Sequence, residues 1–530
     1  MINPNFSSNN SPGFFSSINR KSFITFMIVG LVGFFYFSTI RDGHNWGGDF
    51  AQYINHAKNL AEGIDYAHTS FISNPEQPRG PKAVPPVFPI ILAPVYWLFG
   101  MNLTAMKIIV ISSFLVSLLA IFLCFKNELS FGHLSAVILI IGFNPYFWDF
   151  KDNILADIPF MMFFYLSLLL IHQCFKQKTE PTPRLTNLLV AGLIIYLAYN
   201  TKYTGIVLIP CLVIYDLINF RKLTRISLII TLIFVSLVLL QSLFLQAERD
   251  YVYGFIKFFN LKTSLFNLLN TPKAISIIWD NGYAVDAYRM LFQKDVSLSI
   301  ISYIFLFVFI TLLGISLALS LLGYFSRIRN GFSCFEIVLP LCVGLYIIIP
   351  VPITYRYMIP LIPLYVFYIF AGIQAMDSVF KKKLEKSVLI ALILLISVTY
   401  VTKYIKIDWG PIKNGICRKE SRELFAYIKN NTARDDIIIF FKPKVLALLT
   451  GRKTARDFDA KGDRERLNYM YEVGASYYIS RQLIRRNGLS VKIQLDSNFL
   501  RKYEEHFSEV FSNNDFKMYR IKSLNYRISK

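Results

Sequence analysis

The chain has 530 residues, 54% of them hydrophobic, with a mean hydropathy of +0.44. Apolar stretches of roughly 18 or more residues recur along most of it, each long enough to cross a bilayer as a helix, which excludes a soluble enzyme. The formal charge of +22 implies no nucleic-acid partner, because much of it lies in short loops where Lys and Arg set membrane topology.

In chain order, the first 19 residues are rich in Asn, Ser and Phe, and 1–21 reads as a flexible cytoplasmic leader. The apolar run Phe23 to Ile40 follows Arg20 and Lys21 and lacks a small-residue cleavage site, so it is expected to remain as a helix. Apolar cores predict about eleven spans, at 22–40, 104–125, 133–148, 157–175, 187–200, 204–220, 226–246, 298–325, 336–350, 357–376 and 387–405. Loop charge alternates between them. Lys126, the Lys176 to Arg184 loop, the Arg221 to Arg225 loop, Arg327 with Arg329, and the Lys381 to Lys386 loop fall on the side of Arg20 and Lys21, which marks that side as cytoplasmic. Loops 41–103, 149–156, 201–203, 247–297 and 351–356 then face outward, and an odd span number puts the C-terminus outside as well.

The fold class is therefore mainly α: a transmembrane helical domain over 22–405, with a long first external loop at 41–103, followed by a small extracytoplasmic α/β domain over 406–530. In that last region long apolar runs stop. Short β-like runs appear at 437–441, 477–479 and 516–521, with helix-like stretches at 421–430 and 444–449. It carries 26 basic against 15 acidic residues, net +11. Such a surface serves solubility, or attracts anionic membrane lipids and phosphate-rich glycolipids. Of the six cysteines, five lie in or beside apolar runs, and none forms a CxxC pair, so packing is their expected role.

Candidate chemistry gathers at predicted outer helix ends. Asp49 stands in Trp46-Gly47-Gly48-Asp49-Phe50, just outside the first span. With Tyr53 and His56 it falls at i, i+4 and i+7, so a helix from Asp49 to Leu60, stopping at Glu62-Gly63, would align the three. Asp49 there is either a helix cap or a carboxylate poised at the water–lipid boundary to deprotonate an acceptor hydroxyl. Arg79 and Lys82 sit in a proline-rich stretch, Pro78 to Pro86, as interfacial anchors or as partners of a phosphate. Asp157 precedes Ile158-Pro159, Lys202 occupies a very short outer turn, and Tyr355-Arg356 lies before Met358-Ile359-Pro360. These cations and carboxylates share the outer face, where a lipid phosphate would lie. There is no Walker loop, GxGxxG or HExxH, and the six His show no metal-ligand spacing.

The order of these segments resembles the GT-C superfamily of membrane glycosyltransferases, in the branch of protein O-mannosyltransferases and lipid A aminoarabinose transferases. The matching segments are GGDFAQYINHAKNLAEG, KAVPPVFPIILAPVYWLFG, LADIPFMMFFYLSLLLI, YNTKYTGIVLIP and YRYMIPLIPLYVF, with IIIFFKPKVLALLTGRKT and GASYYIS in the tail. The resemblance implies a sugar donor linked to a polyprenyl phosphate, undecaprenyl in a bacterium. It implies an inverting transfer, with Asp49 as base and Lys202, Arg356 and Lys82 on the donor phosphate. Tyr53, His56, Arg79, Asp157 and Tyr355 would support them. It places the chain in a bacterial inner membrane, modifying an envelope glycolipid such as lipopolysaccharide, or a glycan. Family members differ in using a divalent cation such as Mg or Mn, and Asp49 and Asp157 are the carboxylates that would hold one here. Phe50 stands where protein mannosyltransferases carry Glu, which disfavours a protein acceptor. The Arg-Tyr-Ala of the aminoarabinose enzymes is missing. Rival readings are a flippase of lipid-linked sugars, which would place polar groups near mid-membrane, a protein O-glycosyltransferase, and a non-catalytic scaffold.

Overall fold

A computed structural model describes residues 20–72, 83–176, 184–245, 260–275, 300–349, 354–377, 382–457, 462–481, 483–486, 489–492 and 495–522. The helical part begins with α1 (Arg20–Ser38), α2 (Gly48–Glu62), a short strand β1 (Phe71–Ile72), α3 (Val87–Phe99) and α4 (Leu103–Phe125). It continues with α5 (Phe131–Gly142), α6 (Pro145–Phe150), α7 (Asp157–Lys176), α8 (Leu185–Thr201), α9 (Leu208–Phe220) and α10 (Arg225–Phe244). After these come α11 (Leu261–Ile275), α12 (Ile300–Arg329), α13 (Cys334–Ile348), α14 (Tyr355–Met358), α15 (Ile362–Asp377) and α16 (Lys382–Lys406). Among the described residues, seven helices are long and apolar enough to cross a membrane, and α3, α5, α8, α13 and most of α15 are shorter apolar helices.

Two expected spans are broken, and proline is the reason in both. The third, expected at 133–148, splits into α5 and α6 at Asn144-Pro145. A residue before proline is pushed out of the helical region, and Asn144 then caps α6 by accepting from the Tyr146 and Phe147 N–H groups at 2.9 and 3.4 Å. Its amide also donates to the Tyr400 hydroxyl at 2.8 Å, which ties the break to α16. The span expected at 357–376 divides around Pro360, whose carbonyl accepts from the Tyr165 hydroxyl at 2.9 Å. This isolates the single turn α14, which carries Arg356.

Gly323 on α12 and Gly372 on α15 let these two helices approach at backbone contact. A Cβ at Gly372 would overlap the Leu319 carbonyl, and one at Gly323 the Tyr368 carbonyl. Small residues at crossings are how helices pack where lipid offers no hydrophobic drive.

The C-terminal part holds α17 (Lys419–Asn431), β2 (Ile437–Phe440), α18 (Pro443–Thr450), β3 (Lys453–Arg456), α19 (Asp463–Glu472) and β4 (Tyr477–Arg481). A small hairpin, β5 (Leu483–Arg486) with β6 (Leu489–Lys492), precedes α20 (Leu495–Lys502), β7 (Phe507–Ser512) and β8 (Phe516–Ile521). The main sheet runs β1-β3-β2-β4-β8-β7. Strands β1, β3, β2 and β4 are mutually parallel, and β8 and β7 add antiparallel. The edge strand β1 comes from the first external loop, with Phe71 opposite Thr454 and Ile72 opposite Ala455. The sheet is thus shared between two parts of the chain that sequence reading treats separately.

Further ties join them. Trp46 lies among the rings of Phe425, Phe440, Phe441 and Phe516, at centroid distances of 5.3–6.1 Å. The Ile412 N–H donates to the Asp42 carbonyl at 2.8 Å, and the Ile416 N–H to that of His44 at 3.1 Å. Gly415 passes so close to the His44 carbonyl that a Cβ would overlap it. All six cysteines are free, five of them buried, consistent with packing.

Candidate active site

The segment before α2 is fixed by a buried charge cluster. Arg41 pairs with Asp152 and Asp149, both at 2.7 Å. Lys151 donates to Asp152 at 2.8 Å and to the Thr39 carbonyl at 2.7 Å. Lys107, fully buried on α4, donates to the carbonyls of Arg41 and Gly43 at 2.5 and 2.7 Å. His44 then stacks on Phe50 with centroids 3.8 Å apart, and its Nε2 accepts from the Ile154 N–H at 3.1 Å. Burial pushes the His44 pKa down to about 4, so the ring is a neutral spacer at ordinary pH.

Helix α2 starts at Gly48, with Gly47 in extended backbone at the N-cap and no side-chain cap bond. Asp49 therefore lies within the first turn and does not cap. Its Oδ2 accepts from Arg356 Nη1 at 2.7 Å. The same guanidinium donates through Nε and Nη2 to Asp157 at 3.1 and 3.0 Å. Asp157, buried in the first turn of α7, accepts in addition from Lys202 Nζ at 2.7 Å. Lys202 stands in the break after α8, where extended backbone (φ −153°, ψ 123°) turns the chain into a short 3-10 helix, and its ammonium lies 4.7 Å from the Tyr357 ring centre. Four residues from α2, α7, the α8–α9 turn and α14 thus form one alternating row: Asp49, Arg356, Asp157, Lys202.

The row is graded in exposure. The Asp49 side chain is 49% exposed and that of Arg356 35%, whereas Asp157 is 1% exposed. Asp157 therefore pairs with both cations from the buried side, and Asp49 is the exposed carboxylate of the row. Tyr53 lies one turn along α2, edge-on to Phe88 at 5.1 Å. Tyr355 packs near Tyr146, with centroids 6.1 Å apart. His56 lies on the same face of α2, three residues beyond Tyr53. It is fully buried, its Nδ1 lies 2.7 Å from the Tyr66 carbonyl, and its ring stacks on Tyr66. Arg79 and Lys82 lie outside the described residues.

The donor set does not fit a metal ion bridging Asp49 and Asp157. A divalent ion of this class takes several oxygen ligands on one centre, and the Arg356 guanidinium occupies the position between the two carboxylates. Among the described residues no group of three or more His, Cys, Asp or Glu converges.

Sequence reading missed two further cations. Lys442 and Lys444, at the end of β2, lie within electrostatic reach of Asp49. Lys444 donates to Gln52 Oε1 on α2 at 2.5 Å. Burial lowers both ammonium pKa values, with Asp49 acting in the opposite sense. The signal was present in Phe440-Phe441-Lys442-Pro443-Lys444: cations just past the carboxyl end of a parallel strand stand where ligands bind in α/β sheets. Nothing in the sequence alone showed that the strand faces α2.

Comparison with known proteins agrees with this architecture. Residues 83–244 match the family model described as dolichyl-phosphate-mannose-protein mannosyltransferase. That segment contains Asp157 and Lys202, while Asp49 and Arg356 lie outside it. No curated protein sequence matches the chain. Among solved structures, the archaeal oligosaccharyltransferase AglB from Archaeoglobus fulgidus, in complex with an inhibitory peptide and a dolichol-phosphate, superposes with TM-score 0.57 at 11% identity, over 96% of this chain and 75% of that one. ArnT from Cupriavidus metallidurans in the apo state gives 0.55 at 12% identity, over 95% and 98%, and its form bound to undecaprenyl phosphate gives 0.53. The mycobacterial arabinofuranosyltransferase AftD gives 0.56 at 10% identity, over 96% and 42%.

The molecule is a multi-pass membrane protein with its polar row at the ends of several apolar helices. Its fold is that of the GT-C superfamily of membrane glycosyltransferases.

Proposed function

We propose that the protein transfers a sugar from a polyprenyl-phosphate donor to an envelope glycolipid or glycan, on the outer face of a bacterial inner membrane. The observation that carries this reading is the Asp49–Arg356–Asp157–Lys202 row. It sets a reachable carboxylate against two cations braced by a buried acid. Two of the similar structures, AglB with dolichol-phosphate and ArnT with undecaprenyl phosphate, hold a lipid phosphate, which supports a lipid-phosphate donor.

In this reading Lys202 and Arg356, with Lys82, take the donor phosphate. Arg356 gives up part of its pairing with Asp49 as phosphate oxygens compete for its N–H groups. Asp49, released, accepts the proton of an acceptor hydroxyl. The hydroxyl oxygen bonds to the anomeric carbon on the face opposite the phosphate, and the configuration inverts. The bond to the phosphate oxygen breaks, its electron pair leaves with the lipid phosphate, and Lys202 and Arg356 stabilise that charge. Asp157 touches neither substrate in this scheme and orients both cations.

Phe50 after Asp49 favours a glycan or lipid acceptor over protein. Mass spectrometry of envelope lipids and glycans from a deletion strain and its parent tests the proposal. A missing hexose, hexosamine or pentose, restored by the wild-type gene and not by Asp49→Asn, is expected. Identical spectra from both strains would overturn it.

A further inference from the structure

Four cations stand at the carboxyl ends of three neighbouring parallel strands: Lys442 and Lys444 just past β2, Arg456 ending β3 and Arg481 ending β4. The chain leaves central β2 to form β3 on one side and later β4 on the other. The carboxyl end of β2 is therefore a point where strand order switches, the place where open α/β sheets bind ligands. Lys442 is also the N-cap residue of α18, whose first turn adds partial positive charge.

This group faces Asp49 from a different side than the donor-phosphate cations. On α2, Gln52 follows Asp49 by three residues and Tyr53 by four, so they project on opposite flanks of it, about 100° apart. Lys444 bonds Gln52, while Arg356 lies in the field of Tyr53. Beside Gln52 a crevice is lined by Asn55, Ser70, Phe71 and Lys444, whose ammonium lies 5.5 Å from the Phe71 ring centre. Among the described residues, Lys444 has only a neutral amide as its hydrogen-bond acceptor. The Lys442 ammonium, on a half-buried residue, has no hydrogen-bond or ion-pair partner among the described residues, although the Lys442 carbonyl accepts from the Val445 and Leu446 N–H groups. Desolvated cations without an anionic hydrogen-bond partner are costly, and an anionic ligand offsets that cost.

We propose that the acceptor is anionic: Lys442 and Lys444 bind an acidic group, phosphate or carboxylate, on the Gln52 side of Asp49 while the acceptor's hydroxyl reaches Asp49. This rests on the transferase reading above and adds the chemical class of its acceptor.

The test uses the full chain in nanodiscs and envelope glycan from a deletion strain, in three forms. One is untreated, one is dephosphorylated with aqueous hydrofluoric acid, and one has its carboxylates blocked as amides. Binding is measured to the Asp49→Asn protein, so that it does not depend on turnover. Loss of one charged contact should weaken binding about tenfold. That loss is expected on removing phosphate or on blocking carboxylate, and which treatment causes it identifies the group. Lys442→Gln should produce the same loss with untreated glycan and leave undecaprenyl phosphate binding unchanged, and Lys442→Arg should restore it. The Lys442 side chain has no described hydrogen bond and its backbone bonds survive the change, so this variant should fold even where the Lys442→Gln/Lys444→Gln pair does not. Equal binding of all three glycans, or a parallel loss of undecaprenyl phosphate binding in Lys442→Gln, would overturn the proposal. If charge-dependent glycan binding holds but the wild type transfers no sugar, the transferase reading fails and the anion site stands.

Discussion

Asp49→Asn separates chemistry from architecture. The amide matches the carboxylate in size and still accepts from Arg356, so the change removes charge and basicity and little shape. The cost to folding is small for three reasons visible at the site. The side chain is 49% exposed, its one described hydrogen bond is to a partly exposed arginine, and it caps nothing. A screened pair contributes up to about 1 kcal/mol, and a carboxylate in the first turn of a helix about 0.3–1 kcal/mol. The melting temperature of the purified protein should move by less than about 4 °C. Removing a general base, in contrast, should slow transfer by about 10²–10⁴-fold, or roughly 3–5 kcal/mol of barrier. Initial rates of sugar transfer from polyprenyl-linked donor, measured beside the melting curve, check both. Transfer within tenfold of wild type, in a normally melting protein, would refute Asp49 as the base.

Asp157→Asn should behave in the opposite way. It removes the charge from a buried carboxylate that serves Lys202 and Arg356 together, so it should destabilise by about 3–5 kcal/mol, read as a large fall in melting temperature. Lys202→Ala and Arg356→Ala should each raise the donor KM about tenfold or more, with acceptor KM unchanged. Acid should destabilise the protein through His44. The unfolded ring binds its proton below the ordinary value of 6.5 and the folded ring only near 4, so stability is full above 6.5 and falls as pH drops through that window, by about 1.4 kcal/mol per unit. A ring NMR signal titrating at 6.5 would contradict this. Gly372→Val should force α12 and α15 apart and cost about 1–3 kcal/mol, read as a lower melting temperature.

What the sequence determined by itself is whatever local composition controls. Run length marked most of the apolar helices, because about twenty apolar residues have the same consequence in any fold. Period and turn signals gave α2 and the β2, β4 and β8 segments within a residue or two, because these depend on short-range hydrogen bonding and side-chain alternation. The breaks at Pro145 and Pro360 were not read, because a hydropathy window runs through both. The residues of the polar row were nameable as ionisable groups at the ends of apolar runs. Their connection was not: Asp49 and Arg356 are 307 positions apart, and only helix packing brings them to 2.7 Å. Helical spacing put His56 on the Asp49 face of α2, but it did not show that Tyr66 covers the ring. Only the tertiary structure decided that β1, from the first loop, completes the C-terminal sheet, and that this sheet presents Lys442 and Lys444 to α2. Strand pairing across hundreds of residues is set by which apolar faces meet, and no window of sequence contains both partners.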